Sequence, residues 1–243
     1  MTPEQRLADV FLALAGCTTD GPPDVAGTLE VLAHGSPSLL GVGAAAVVFA
    51  PDEHEAAHVA GSDPSVSRLE HDAVGWREGP GNDCHRTHTP PTQAALDGRP
   101  ARQRWPHYAP RALGLGYARV VALPLRGHTG ISGALVLLSH ARQSVLTPGT
   151  LTLGQSMADF TAVTLERARE ADRSRTLAAQ LEIALSSRIV IEQAKGVLAA
   201  RLEMTVDDAF ALLRTHARSR QRLVSVVARE VVEGHADPGL TGE

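Results

Sequence analysis

The chain is 243 residues long, with a formal net charge of −4, 43% apolar residues and only 3% aromatic ones. That length fits one large domain or two modest ones, and the net charge excludes a protein that coats nucleic acid through bulk positive charge. Two cysteines, Cys17 and Cys84, allow at most one bridge and exclude a disulfide framework.

Thr2-Pro3-Glu4 predicts a helix start: a capping hydroxyl, Pro at the first helical position and an acid at the positive dipole end. The helix should run to about Ala15. Glu4, Arg6 and Asp9 interrupt its apolar residues, so it does not read as a secretory leader. No apolar run approaches the roughly 18 residues needed to span a bilayer. No membrane association and a cytoplasmic location are expected.

Val25–His34 predicts a second helix. Val42–Ala50 reads as a buried strand, Pro51-Asp52-Glu53-His54 as a turn and Glu55–Gly61 as a returning strand. Residues 75–117 are rich in Gly, Pro and His, and predict loops, short helices and one edge strand near Arg99–Arg104. Tyr117–Leu125 and Ile131–Ser139 are the clearest strands, joined by Gly127-His128-Thr129-Gly130. Helices, a hairpin, an irregular middle and a second hairpin make an α+β layout, without alternating βα units.

Thr147-Pro148 opens a long helix, and no further Pro occurs until Pro238. Leu151, Leu153, Met157 and Phe160 are placed to pack on the sheet. Leu177, Leu181, Ala184 and Ile191 then recur at coiled-coil spacing, with Arg188 between the last two. This stretch fits either a solvated connecting helix or a dimer seam.

Beyond it, Ile191, Ala194, Leu198 and Leu202 form one apolar stripe. Arg188 and Lys195 lie beside that stripe, with Glu192 spaced to pair with Arg188. Gly196 costs a helix interior about 1 kcal/mol relative to Ala, which a close approach by another backbone would explain. Thr205-Val206-Asp207-Asp208 caps a second helix. Its Phe210, Leu213 and Ala217 face a core, and Arg214 and Arg218 point outward. Leu223, Val227 and Val231 supply a third helix. Residues 186–235 carry eight basic side chains against six acids, +2 in an otherwise acidic chain. The last eight residues read as a disordered tail. The expected division is 1–160, a helical linker 161–185, 186–235, and the tail 236–243.

Catalytic signatures are sparse. Asp83-Cys84-His85-Arg86-Thr87-His88 is the one cluster with metal-ligand chemistry; Cys84, His85 and His88 are weak metal candidates, with no second cluster at ligand spacing. Asp52 follows a strand as a receiver domain's phospho-acceptor does, but it lacks the acidic pair and partner Lys. Gly114-Leu115-Gly116 is too short for a phosphate cradle. The chain is expected to be no enzyme and to need no cofactor.

The turn Glu78-Gly79-Pro80, then Gly98-Arg99-Pro100, Arg104-Trp105-Pro106, Val121-Ala122-Leu123-Pro124-Leu125 and Gly133-Ala134-Leu135-Val136-Leu137 resemble, in that order, a GAF domain. The resemblance implies a signal sensor: an antiparallel sheet with helices on one face and a small-molecule pocket on the other. Related sequences often carry Cys directly after that Gly-Pro; this chain has Gly81 there, with Cys84 three residues later. The signature of cyclic-nucleotide-binding members is also missing, so the signal is unknown.

Ile191-Glu192-x-Ala194-Lys195-Gly196-x-Leu198, then Ala209-Phe210-x-x-Leu213-Arg214-x-x-Ala217 and Leu223-x-x-Val226-x-Ala228, resemble an ANTAR domain. ANTAR proteins are bacterial antitermination regulators whose three-helix module follows a coiled coil and binds paired stem-loops in nascent RNA. The resemblance implies that Arg188, Lys195, Gly196 and Arg214 lie on the RNA face, shaped by Ala194, Ala209, Phe210 and Ala217. Arg218, Arg220 and Arg222 join them on charge and position. A homodimer is expected. The alternatives are a DNA-binding regulator, a GAF-type redox or metal sensor acting through protein partners, and a thiol-dependent reductase built on Cys84.

Overall fold

Five antiparallel strands form one sheet, whose order across its width is 58–61, 44–49, 131–140, 117–126 and 94–95. The computed structural model describes residues 2–16, 24–51, 56–87, 92–235 and 237–241. The chain divides into two units, Met1–Asp172 and Arg173–Glu243.

The first unit opens with α1 (Pro3–Gly16) and α2 (Val25–Leu40). Asp24 caps α2 by accepting from the Gly27 amide at 2.8 Å. The helix runs past His34 and through Pro37, because burial of Leu32, Ala33, Ser36 and Leu40 outweighs the break. The Ser36 hydroxyl donates to the Leu32 carbonyl at 2.6 Å, whose helical partner lies beside the proline. Strands β1 (Ala44–Phe49) and β2 (His58–Gly61) make the first hairpin, and Gly61 pairs with Ala46. Asp52, Glu53 and His54 of the expected turn lie outside the described residues.

Next come α3 (Pro64–Trp76), α4 (Pro80–Thr87), the two-residue strand β3 (Ala94–Ala95), α5 (Arg99–Arg104) and α6 (Tyr108–Gly114). The edge strand expected near Arg99–Arg104 is therefore a helix. Gly98 caps it and Pro100 sits in its first turn with φ already set; only Ala101 of the segment is buried, so no alternating face exists to hold a strand. The actual edge is β3, paired with Val120 and Arg119 of β4. Strands β4 (Tyr117–Arg126) and β5 (Ile131–His140) are the long central hairpin.

Side chains alternate cleanly between the two faces. Ala45, Val47, Phe49, Val121, Leu123, Leu125, Leu135 and Leu137 join α1, α2 and Met157–Leu165 in one core. Ala44, Ala46, Val120, Ala122, Ala134, Val136 and Leu138 join α3–α6 in a second. Helices thus cover both faces, where the GAF resemblance implied helices on one and a pocket on the other. Tyr108, Trp105 and Leu69 pack over the second face.

Helix α7 (Pro148–Arg201) is 54 residues long and starts at the Thr147 cap read from sequence, where the Thr147 hydroxyl accepts from the Thr150 amide at 3.2 Å. Met157 is buried on the sheet as expected; Phe160 is half-exposed and meets Phe11 edge-on, with ring centroids 4.9 Å apart. Polar side chains clasp α7 to the β4–β5 hairpin. Gln155 donates to the Pro124 carbonyl at 2.7 Å, and Glu166 accepts from the His128 amide at 2.7 Å and the Thr129 hydroxyl at 2.5 Å. These bonds hold the Glu166 carboxyl below its ordinary range despite partial burial.

The second unit holds the end of α7, α8 (Val206–Ser219), α9 (Val224–Glu233) and α10 (Pro238–Thr241). Leu177, Leu181, Ile183 and Leu185 of α7 are exposed. Ala194 and Leu198 pack against Ala209, Leu213 and Ala217 of α8 and Val227, Ala228 and Val231 of α9. Most of the expected core residues are in this cluster, but Leu223 is exposed at the cap of α9 and the half-buried Phe210 lies outside it. Both helix reversals use left-handed residues that are not glycine, Glu203 and Gln221, each at φ 52°. At the second, the Arg222 amide donates to the Ala217 carbonyl and that of Gln221 to Arg218, a Schellman end. Within the expected tail, α10 buries Leu240 in the same core.

Candidate nucleic-acid interface

Ala194, Ala209 and Ala217 are fully buried where α7, α8 and α9 meet. They shape the surface by letting the helices approach closely, and touch nothing outside the module. Thr205 sets the start of α8: its hydroxyl accepts from the Asp208 amide at 3.1 Å and donates to the Asp208 carboxylate at 2.6 Å.

Lys195 is only 14% exposed. Its Nζ bonds both oxygens of Glu192 at 2.9 and 3.0 Å and stands 5.4 Å from the centre of the Phe210 ring. Glu192 thus pairs with Lys195, three residues on, and not with Arg188 as its spacing had allowed. The half-buried Phe210 ring holds the ammonium over its face and selects that partner. Gly196 beside it is exposed, and a Cβ added there would meet nothing within 4 Å. Arg188 is exposed as well.

On α8, exposed Arg214 and Arg218 line an open pocket with Thr215 and Ser219. The two arginines after α8 are engaged. Arg220 bonds Asp237 at 2.7 Å and lies 3.2 Å from His216 Nδ1. Arg222 grips Glu230 with both terminal nitrogens, one of them at 2.9 Å, and holds that carboxyl below its usual range. No single-helix periodicity could find these partners, because they lie 17 and 8 residues away across helix ends.

Of the metal candidates, only the Cys84 side chain lies within the described residues. Cys84 is a buried free thiol whose pKa burial pushes up to about 11, against the pull of the Arg126 charge. The neighbouring Asp83 accepts from the Trp105 indole at 2.8 Å. The His85 side chain and His88 lie outside the described residues, as does Cys17, and no metal-binding cluster occurs among the described residues. Sequence reasoning missed one polar pair: Tyr108 donates to Glu70 at 2.6 Å, both fully within the second core. The cap at Asp63-Pro64 and the 3–4 spacing of Val66, Leu69, Glu70 and Ala73 were the signal that could have placed Glu70 inward.

The second unit is a small helical module with exposed Arg188, Arg214 and Arg218, following the long helix α7 in the chain. Residues 179–232 match the family model of the ANTAR domain, so the chain carries an ANTAR domain, an RNA-binding antitermination module. No curated protein matches the chain. Among solved structures, it is similar to the GAF domain of an Acinetobacter phosphoenolpyruvate-protein phosphotransferase, at 10% identity and a TM-score of 0.49, covering 71% of this chain and 99% of that one. It is also similar to the GAF-B domain of DevS from Mycobacterium smegmatis, at 19% identity and a TM-score of 0.44, covering 62% and 99%. Among the described residues, no helix is long and apolar enough to cross a membrane.

Proposed function

We propose that this chain is a non-enzymatic transcription antitermination regulator. Its ANTAR domain binds paired stem-loops in nascent RNA, and that binding keeps a terminator from forming. The observation that carries the reading is the exposed surface of the matched segment: open Gly196 beside Lys195 and Phe210, continuous with Arg214 and Arg218. Positive charge neutralises phosphates, and a bare helix backbone admits splayed loop bases.

The sheet domain, which resembles GAF in its motifs, acts as the sensor. Glu166 and Gln155 tie its central hairpin to α7, so a shift in the hairpin is felt by the helix that leads into the module. Exposed Leu177, Leu181 and Ala184 offer a seam to a second copy. Two modules in a dimer would engage two hairpins at once and gain avidity. The buried, protonated Cys84 thiol supports a regulator over a thiol enzyme, which needs a thiolate.

A competition gel shift with the full chain tests the reading. Tandem stem-loop RNA is expected to displace duplex DNA, and Lys195→Ala to weaken RNA binding with the fold intact. Tighter binding of the duplex would make the protein a DNA-binding regulator instead.

A further inference from the structure

Ion pairing sorts five of the module's eight basic side chains into two groups. Lys195, Arg220 and Arg222 are matched by Glu192, Asp237 and Glu230. A cation already neutralised by a carboxylate releases few counterions when RNA arrives. The guanidinium groups of Arg214 and Arg218 make no ion pair or hydrogen bond among the described residues, and they line a concave surface together. Four positions build that surface. Arg214 and Arg218 are one turn apart, and so are Thr215 and Ser219, so the two rows stand side by side on α8. The Thr215 hydroxyl has no partner among the described residues. The Ser219 hydroxyl donates to the His216 carbonyl at 2.9 Å, so this position gives the pocket a small wall and no donor.

We propose that this pocket on the outer face of α8 is a phosphate-binding site: Arg214 and Arg218 flank one RNA phosphodiester, and Thr215 donates a hydrogen bond to it. The inference rests on the RNA reading above and refines it. Phosphate neutralisation falls to Arg214 and Arg218. Lys195, tied to Glu192 and Phe210, contributes a directed contact and little net charge.

The test uses the full chain and an RNA that the wild-type protein selects from a pool of tandem stem-loops with randomised loops. Affinity is measured across a salt series for Arg214→Gln, Arg218→Gln, Thr215→Val and, as a surface control, Arg229→Gln. Because the two arginines share one phosphate, Arg214→Gln and Arg218→Gln together are expected to flatten the slope of log K against log salt by about 0.7 to 0.9, the yield of one neutralised phosphate, each arginine variant alone taking part of that. Thr215→Val keeps the shape and removes an uncharged donor from a charged acceptor; it should weaken binding about ten- to a hundredfold at unchanged slope. Arg229→Gln should leave the slope as it is. If both α8 variants keep the wild-type slope while the wild type binds, the site is wrong and the RNA reading survives. If the wild type selects no RNA, the RNA reading fails and the site with it. Thermal melts of each variant verify that the fold is retained.

Discussion

Gly133 in β5 lies flat against β1, where an added methyl group would meet the Val48 carbonyl oxygen at 2.1 Å and the Phe49 Cα at 2.9 Å. Gly196 in α7 is the opposite case, with nothing within 4 Å of the same added atom. The first glycine is required by its own fold. The second is not, and it costs its helix stability without any internal return. Polar groups divide in the same way. In the sheet domain Glu70 is sealed in a core and bonds Tyr108; in the ANTAR domain Glu192 sits at the surface and answers to a lysine. The sheet domain spends its unusual residues on its interior, and the helical module spends them on something outside itself.

The largest expected effect of a single methyl group is therefore at Gly133. Every atom in its way is backbone of the neighbouring strand, so no side chain can swing aside. Gly133→Ala should cost at least about 3 kcal/mol. A thermal melt would read this as a Tm lower by many degrees or as loss of soluble protein. A melt close to wild type would mean that β1 and β5 are not paired in this register.

Next in size is Glu70→Gln, which separates buried from surface charge by pH. Burial raises the Glu70 carboxyl from 4.5 to about 7, partly opposed by the Tyr108 hydroxyl. Between those values the folded chain keeps a proton that the unfolded chain has released. Stability is then complete below about 4.5 and declines as pH rises through about 7, by roughly 3 kcal/mol in all. Glutamine stays neutral and still offers an oxygen to the Tyr108 hydroxyl. The variant should match or fall below wild type at pH 5 and exceed it at pH 8. Parallel stability curves for the two proteins would place an ionised, hydrated carboxylate at this position.

The contrast also explains what could be read from sequence. Strands β1, β4 and β5 announce themselves as apolar runs, and Thr147-Pro148 opens α7 where expected. The core of the ANTAR domain follows from the 3–4 spacing of Ala194, Leu198, Leu213 and Ala217. Helix α5 was not legible, because a short basic segment has neither a buried face nor a period. The Arg220 and Arg222 partners were out of reach because tertiary contacts across helix ends leave no periodic trace. Glu192 is the instructive intermediate. Spacing permitted Arg188 at i−4 and Lys195 at i+3 equally, and the Phe210 ring on another helix decided between them.

The smallest expected change in stability carries the sharpest test of the functional side. Gly196→Ala places its methyl group in open space, so the fold should gain about 0.5 to 1 kcal/mol from helix propensity alone. RNA binding should move the other way, weakening by about tenfold, because a Cβ now stands where a backbone or base would approach, and tenfold corresponds to about 1.4 kcal/mol. A variant both more stable and less able to bind cannot be explained by damaged folding. If Gly196→Ala is stabilised and binds RNA as the wild type does, Gly196 lies outside the contact, and the interface contracts to the α8 side of Phe210.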